Sequence, residues 1–299
     1  MFWQTTRFAI DLRQPRVMGI VNVTPDSFFD GGLHNDVGTA LEHCERLVEE
    51  GADILDIGGE SSRPGAAGLS AVDELARVLP VLRGALALGV PVSVDTCKTE
   101  VMRAALDIGV DIVNDISALR RPGSIDLIAA HAACGVCLMH MRSEPQTMQD
   151  APDYRDVVSE VGAFLASRVA ALIAHGVAAE RIVLDPGVGF GKRVEHNLEL
   201  LLRQRELLAL GRPLLVGWSR KSTLGALTGR AAPDRLAASL AAALAAVERG
   251  ASIVRVHDVA ATVDALRVWH AAGLGARPMR PALHNPGISS GTLTRPETT

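Results

Sequence analysis

The chain has 299 residues, 48% hydrophobic and 21% charged, enough apolar material for a large buried core and too much for a disordered chain. A formal net charge of −4 and an aromatic content of 3% exclude a nucleic-acid binder acting through a bulk positive field or a stacking platform. Four cysteines, Cys44, Cys97, Cys134 and Cys137, are too few for a disulfide scaffold. The opening MFWQTTR lacks the order of an export signal, and the most apolar stretch, 236–247, is shorter than the ~20 residues of a membrane span. These features predict a cytoplasmic protein with neither nucleic acid nor membrane as partner.

Residues 1–16 read as a lead-in. From residue 17 one arrangement recurs: a short β-branched run ends at a polar residue or glycine, a periodic helical stretch follows, and that stretch closes on glycine. The runs are 17–22, 53–58, 90–95, 111–115, 135–140, 181–185, 213–217 and 252–257. They are near-continuously apolar, as strands buried on both faces are. The helical stretches carry apolar residues at three- and four-residue steps, as in Leu41/Cys44/Leu47/Val48, Leu75/Val78/Leu79/Leu82 and Leu198/Leu201/Leu202/Leu208. Gly51, Gly89, Gly109, Gly135, Gly176, Gly211 and Gly250 stand where left-handed helix caps are needed, and Thr99 stands as an N-cap. Eight βα units over 17–272 predict an α/β fold, a single-domain (β/α)8 TIM barrel in preference to an open doubly wound sheet. Residues 273–299 lack periodicity and are expected to form a flexible tail.

Barrel ligands bind beyond the carboxyl ends of the strands. Those ends carry Asn22, Asp56 with Gly58, Asp95, Asn114 with Asp115, His140, Asp185, Gly217 followed by residues 219–222, and Arg255 with His257. Any one strand-end Asp or Asn is explained as the cap of the next helix; the whole ring is not. Two long loops follow the first two strands, one with Phe28, Phe29 and a double glycine, the other with Arg63 beside Pro64, and loops of this length serve as lids or binding loops. The glycine-rich run after Asp185 fails as a phosphate loop, since Pro186 and Arg193 stand where glycine and Ser/Thr are required. Its glycines are expected to let the backbone approach a flat ligand held by Asp185. Cys134 and Cys137 read as core thiols, and the histidines lack zinc-ligand spacing.

The strings NVTPDSF (22–28), DIGGESSRPG (56–65), SVDT (93–96), NDI (114–116), LMHM (138–141), LDPGVGFGK (184–192), GWSRKS (217–222) and VRVHD (254–258) resemble those of the dihydropteroate synthase family, in the family's order and one per strand mouth. Ser62 stands where many members have threonine, with the hydroxyl kept. The resemblance implies a (β/α)8 barrel, a homodimer, and condensation of 6-hydroxymethyl-7,8-dihydropterin pyrophosphate with p-aminobenzoate to 7,8-dihydropteroate and pyrophosphate in folate synthesis, a sulfonamide target. With it go expected roles. Asp185 accepts from the pterin NH2 and ring N–H, Asn114 and Asp95 read the rest of the ring edge, Lys221 donates to the ring, and Met139 and Phe190 wall it. Arg255 and His257, two apart on one strand and so on one side, meet the pyrophosphate with Ser62, and Arg255 also lies flat against the pterin. Asn22 offers oxygen to a Mg2+ on that group. Phe28, Arg63, Pro64, the Lys221 stem and Ser222 hold p-aminobenzoate, and Asp30 orders the first loop. Asp95, Asp185, Lys221, Arg255 and His257 form the catalytic set. Two rivals are a pterin-binding methyltransferase, which would share the barrel and the ring-edge carboxylates but has no use for a pyrophosphate site or the first loop, and a non-catalytic pterin-binding paralogue, which should have damaged loops or a missing anion pair. Pyrophosphate release from the two substrates separates the first, and complementation of a folate auxotroph the second.

Overall fold

The structure is a computed structural model describing residues 1–24, 32–60, 68–142 and 152–274, with 32–36 as backbone only. The expectations for Phe28, Asp30, Ser62, Arg63 and Pro64, and for the tail beyond 274, lie outside the described residues.

Eight parallel strands close into a barrel: β3 (Arg16–Asn22), β4 (Ile54–Gly58), β5 (Val92–Asp95), β6 (Ile112–Asp115), β7 (Gly135–Met139), β8 (Ile182–Asp185), β9 (Leu214–Val216) and β10 (Ala251–Val256), with β10 pairing back onto β3. The helices lie between them: α1 (Gly32–Glu49), α2 (Ala71–Ala85), α3 (Thr99–Asp107), α4 (Ser124–Ala130), α5 (Val157–Ala174), α6 (Val194–Leu202), α7 (Ser222–Thr228), α8 (Leu236–Glu248) and α9 (Val259–Ala271). The (β/α)8 barrel read from the sequence is the fold. Caps start the helices where the sequence supplies them: Ser70 Oγ accepts from Asp73 N–H ahead of α2, and Asp156 Oδ1 accepts from Val158 and Ser159 N–H ahead of α5.

Strand parity sorts the side chains into two populations. Met18, Ile54, Ile112, Cys137, Val183, Leu215 and Ile253 point inward and form one apolar layer; their strand neighbours, among them Leu55, Val94, Val113, Leu138 and Val254, pack outward against the helices. The lead-in is an antiparallel hairpin, β1 (Phe2–Gln4) with β2 (Ala9–Asp11), whose Trp3 and Ile10, with Leu12, close the inner layer from below. Trp3 Nε1 donates to Arg181 O at 2.8 Å, so the indole is buried with its one polar atom satisfied. Gly135 is where the hairpin lands. It is not the left-handed cap expected from sequence: it opens β7, and a Cβ there would lie 3.0 Å from Trp3 Nε1 and from Thr5 Cγ2.

Two helical expectations are corrected. Lys98, not Thr99, is the N-cap of α3, and Thr99 Oγ1 donates instead to Pro122 O. The stripe Leu198/Leu201/Leu202/Leu208 is not the buried face of α6; Asn197 and Leu200 are, and Leu202 is exposed. The longest apolar helix is α5, which by length and composition alone could cross a membrane. In the barrel it is the crossover from β7 to β8, with Val157, Val158, Val161, Leu165 and Leu172 buried.

Candidate active site

Two residues beyond the apolar layer, the same inward parity becomes polar. Asp56 on β4, Asp95 on β5, Asn114 on β6, Asp185 on β8 and Arg255 on β10 point into one basin at the carboxyl ends of the strands, with Met139 of β7 as their apolar neighbour. Asp115 and His140, read from sequence as members of the ring, have the opposite parity and serve the walls. Asp115 is buried and accepts from Ser117 N–H, Ser117 Oγ and Leu119 N–H, while the His140 ring packs edge-on against Phe164 of α5.

On one side of the basin Arg255 is clamped between two carboxylates. Its Nε donates to Asp56 Oδ2 at 2.6 Å and its Nη2 to Asp95 Oδ2 at 2.7 Å. Asn114 Nδ2 donates to the same Asp56 oxygen at 3.1 Å, which turns the Asn114 carbonyl away from Asp56 and leaves it an acceptor. Burial pushes the Asp95 carboxyl up; the Arg255 guanidinium pulls it down, and the Asp56 charge raises it. Burial also disfavours the Arg255 charge, but Asp56 and Asp95 outweigh it and raise its pKa.

Across the basin stands Asp185. Its Oδ1 accepts from Gly187 N–H at 2.7 Å. Burial raises its pKa, opposed by that hydrogen bond and by Lys221, Lys192 and Arg255. Lys221 Nζ sits 4.2 Å from the centre of the Phe190 ring, and burial pulls its pKa down to about 8, against the attraction of Asp185. Phe190 packs on Met139 and Met141, so an apolar wall adjoins the one carboxylate and one ammonium able to read a heterocycle edge. The glycines of this loop serve packing within the wall: a Cβ on Gly187 (φ +69) would lie 1.9 Å from His140 O, and one on Gly189 (φ +83) 3.1 Å from Lys221 Cδ. Lys192, rejected as a phosphate-loop lysine, is a buried latch. Its Nζ donates to Gly187 O at 2.9 Å and Phe190 O at 3.1 Å and lies 2.9 Å from His140 Nδ1, holding the loop that presents Phe190.

The third group lies at the ends of β9 and β10. His257 Nδ1 is 3.0 Å from Ser219 Oγ, and burial, then the Arg220 and Arg255 charges, lower the imidazole pKa to about 4. Arg220 pairs with Asp258 at 2.5 Å. Ser222 is exposed at the first turn of α7. Asn22 ends β3 beside Gly58. No cluster of three metal-ligating side chains occurs among the described residues. A lone amide oxygen at the rim fits a Mg2+ that arrives on a phosphate group and keeps most of its water, not a metal caged by protein.

The three groups share one field: Lys221 acts on Asp185, Asp95 and Arg255, and His257 is acted on by Arg255 and Lys221. The family model described as pterin binding enzyme matches residues 18–257. The dihydropteroate synthase of Neisseria meningitidis serogroup B is 55% identical over 91% of this chain and 98% of its own. The chain belongs to the dihydropteroate synthases. Among solved members, that of Burkholderia cenocepacia complexed with 7,8-dihydropteroate has a TM-score of 0.84 at 52% identity, covering 91% of this chain and 96% of that one. That of Xanthomonas albilineans with 4-aminobenzoic acid has a TM-score of 0.86 at 50% identity, covering 93% and 100%.

For a dihydropteroate synthase barrel, sequence reasoning passed over two residues. Asp56 stands at a strand mouth with no role legible in the motifs, although its parity with Ile54 turns it inward opposite Arg255. Lys192 is not legible as a latch, because His140 comes from just beyond β7 and the carbonyls of Gly187 and Phe190 are turned toward it by a loop path that depends on positive φ at three glycines.

Proposed function

We propose that the chain condenses 6-hydroxymethyl-7,8-dihydropterin pyrophosphate with p-aminobenzoate, giving 7,8-dihydropteroate and pyrophosphate. The observation that carries this is the basin itself: a carboxylate, an ammonium and an apolar wall at Asp185, Lys221, Phe190 and Met139, facing a cationic and imidazole end at Arg255 and His257.

Asp185 accepts from the pterin exocyclic NH2 and adjacent ring N–H, using the lone pairs left after Gly187. Asn114 presents its carbonyl to a further ring donor, and Lys221 donates to the ring carbonyl or N5. The C–O bond to pyrophosphate breaks with its electron pair leaving on oxygen. Asp95 and Asp185 stabilise the positive charge that develops on the dihydropterin, and Arg255 and His257 the negative charge that departs. The aniline nitrogen of p-aminobenzoate then forms the new C–N bond and releases a proton. The p-aminobenzoate carboxylate meets the Ser222 hydroxyl, with its ring along the Lys221 stem; the roles that the family resemblance implies for Phe28, Asp30, Ser62, Arg63 and Pro64 belong to the same proposal. Asn22 would hold a Mg2+ carried on the pyrophosphate, and that ion would supply positive charge to offset part of the leaving charge.

The chain works in the cytoplasm, where its free Cys44, Cys97, Cys134 and Cys137 stay reduced. It works as a homodimer, supported by exposed Leu202, Leu227 and Leu236 on the neighbouring helices α6, α7 and α8; sedimentation as a single monomer at micromolar concentration contradicts this.

Release of pyrophosphate on mixing both substrates, with and without Mg2+, tests the reaction; no release with soluble, folded protein refutes it. His257→Ala is expected to cost about 2 kcal/mol in kcat/KM, the worth of one charge-assisted contact. Unchanged turnover at saturating Mg2+ removes His257 from the pyrophosphate. The protonated Lys221 is the working form, so kcat/KM falls as pH rises through about 8, the free-enzyme value of its ammonium. Lys221→Arg, which cannot lose its proton in this range, removes that alkaline limb at reduced activity; a limb that stays in place assigns the titration to another group.

A further inference from the structure

The pairing of Ser219 with His257 goes further. Ser219 is buried, and its hydroxyl has no partner other than His257 among the described residues. It accepts from the His257 main-chain N–H at 3.2 Å and lies 3.0 Å from His257 Nδ1. A hydroxyl has one proton and two lone pairs. One lone pair is taken by the main-chain N–H, and the acceptor in reach of the hydroxyl proton is Nδ1. The hydroxyl therefore donates to Nδ1, and the ring's own proton sits on Nε2.

We infer that Ser219 is a positioning residue that fixes His257 in the Nε2–H tautomer, so that the imidazole meets a diphosphate oxygen as a donor. The opposite tautomer would turn a lone pair toward that oxygen. The inference rests on the placement of pyrophosphate at His257 given above.

The surroundings hold this contact in register. Two consecutive residues of the β9–α7 loop pair with two consecutive residues at the end of β10, Ser219 with His257 and Arg220 with Asp258. Arg220 is held at φ +58; its N–H donates to Ser239 Oγ of α8 at 3.0 Å and its carbonyl accepts from Arg235 Nη1 at 2.9 Å. The charged groups acting on the ring are Arg220 and Lys221 from this loop, Arg255 from β10 and Asp258 beyond it. Burial first, and then three cations against one carboxylate, keep the unliganded imidazole neutral, and a neutral ring has a tautomer to choose.

Nitrogen NMR of histidine-labelled protein at neutral pH, with His257 assigned by the missing signal in His257→Ala, tests the inference. The parent is expected to show an unprotonated Nδ1 and a protonated Nε2. Ser219→Ala is expected to give mixed tautomers and to weaken inorganic pyrophosphate binding about fivefold by calorimetry, the worth of one neutral hydrogen bond. Ser219→Thr, which keeps the hydroxyl, restores both. In the His257→Ala background Ser219→Ala has no further effect on pyrophosphate, which a merely structural serine would not show. A protonated Nδ1 in the parent, or an unchanged tautomer in Ser219→Ala, overturns the inference. Unchanged pyrophosphate affinity in His257→Ala instead refutes the placement of pyrophosphate, while the NMR result still decides the role of Ser219.

Discussion

Asp185→Asn is expected to weaken pterin binding about 100-fold, since the amide keeps one acceptor oxygen and sets an NH2 against a ring donor, losing about 3 kcal/mol of charge-assisted hydrogen bonding. Folding should not suffer. Burial holds the Asp185 pKa above its ordinary value, and a carboxylate with a raised folded-state pKa contributes stability only below its unfolded pKa and loses it as pH rises through the folded value. At neutral pH the ionised group is a cost to the fold, so the neutral amide, which can still accept from Gly187 N–H, should unfold at the same temperature or higher. Calorimetry with a pterin ligand, beside thermal unfolding, checks both halves. An affinity within about threefold of the parent, under about 1 kcal/mol, removes Asp185 from the pterin edge.

Arg255→Leu is expected to destabilise the barrel by about 3–5 kcal/mol, because it leaves Asp56 and Asp95 as neighbouring buried carboxylates with their shared cation gone. Activity is lost as well, but the stability effect has its own signature. Burial already raises the Asp95 pKa in the parent against the pull of Arg255; without Arg255 it rises further, so the variant gains more stability than the parent as pH falls and the deficit narrows in acid. Adding Asp56→Asn removes one of the orphaned charges and should recover part of the unfolding midpoint without recovering turnover. An unfolding midpoint equal to the parent's from neutral to acid pH contradicts the clamp.

Much of this was legible in the linear chain. The eight apolar runs are the eight barrel strands to within a few residues, because a parallel strand buried on both faces must be continuously apolar and must stop where the chain meets the polar mouth. Asp95, Asn114, Asp185 and Arg255 stand at those stops. What failed did so for reasons of parity and distance. Asp115 and His140 sit at the same stops one residue out of phase, and a one-residue step turns a side chain from the basin to the helices. Gly135 looks like a helix cap until the hairpin from the other end of the chain is seen to need its missing Cβ. The leucines of α6 have helical spacing, yet the buried positions of that helix are Asn197 and Leu200, because Asn197 is drawn inward to bond Gly189 N–H and Thr223 Oγ1.

The amino-acid order by itself determined the barrel, the family and the residues at each strand mouth, since periodicity and motif order are properties of neighbours along the chain. Only the tertiary structure decided how those residues are used: that Arg255 is shared by Asp56 and Asp95, that Lys192 latches the Phe190 loop, and that Ser219 holds His257. Each of these contacts joins side chains brought together by barrel closure from separate strands and loops. Their energies depend on burial and on distances of about 3 Å, which no local pattern of sequence encodes.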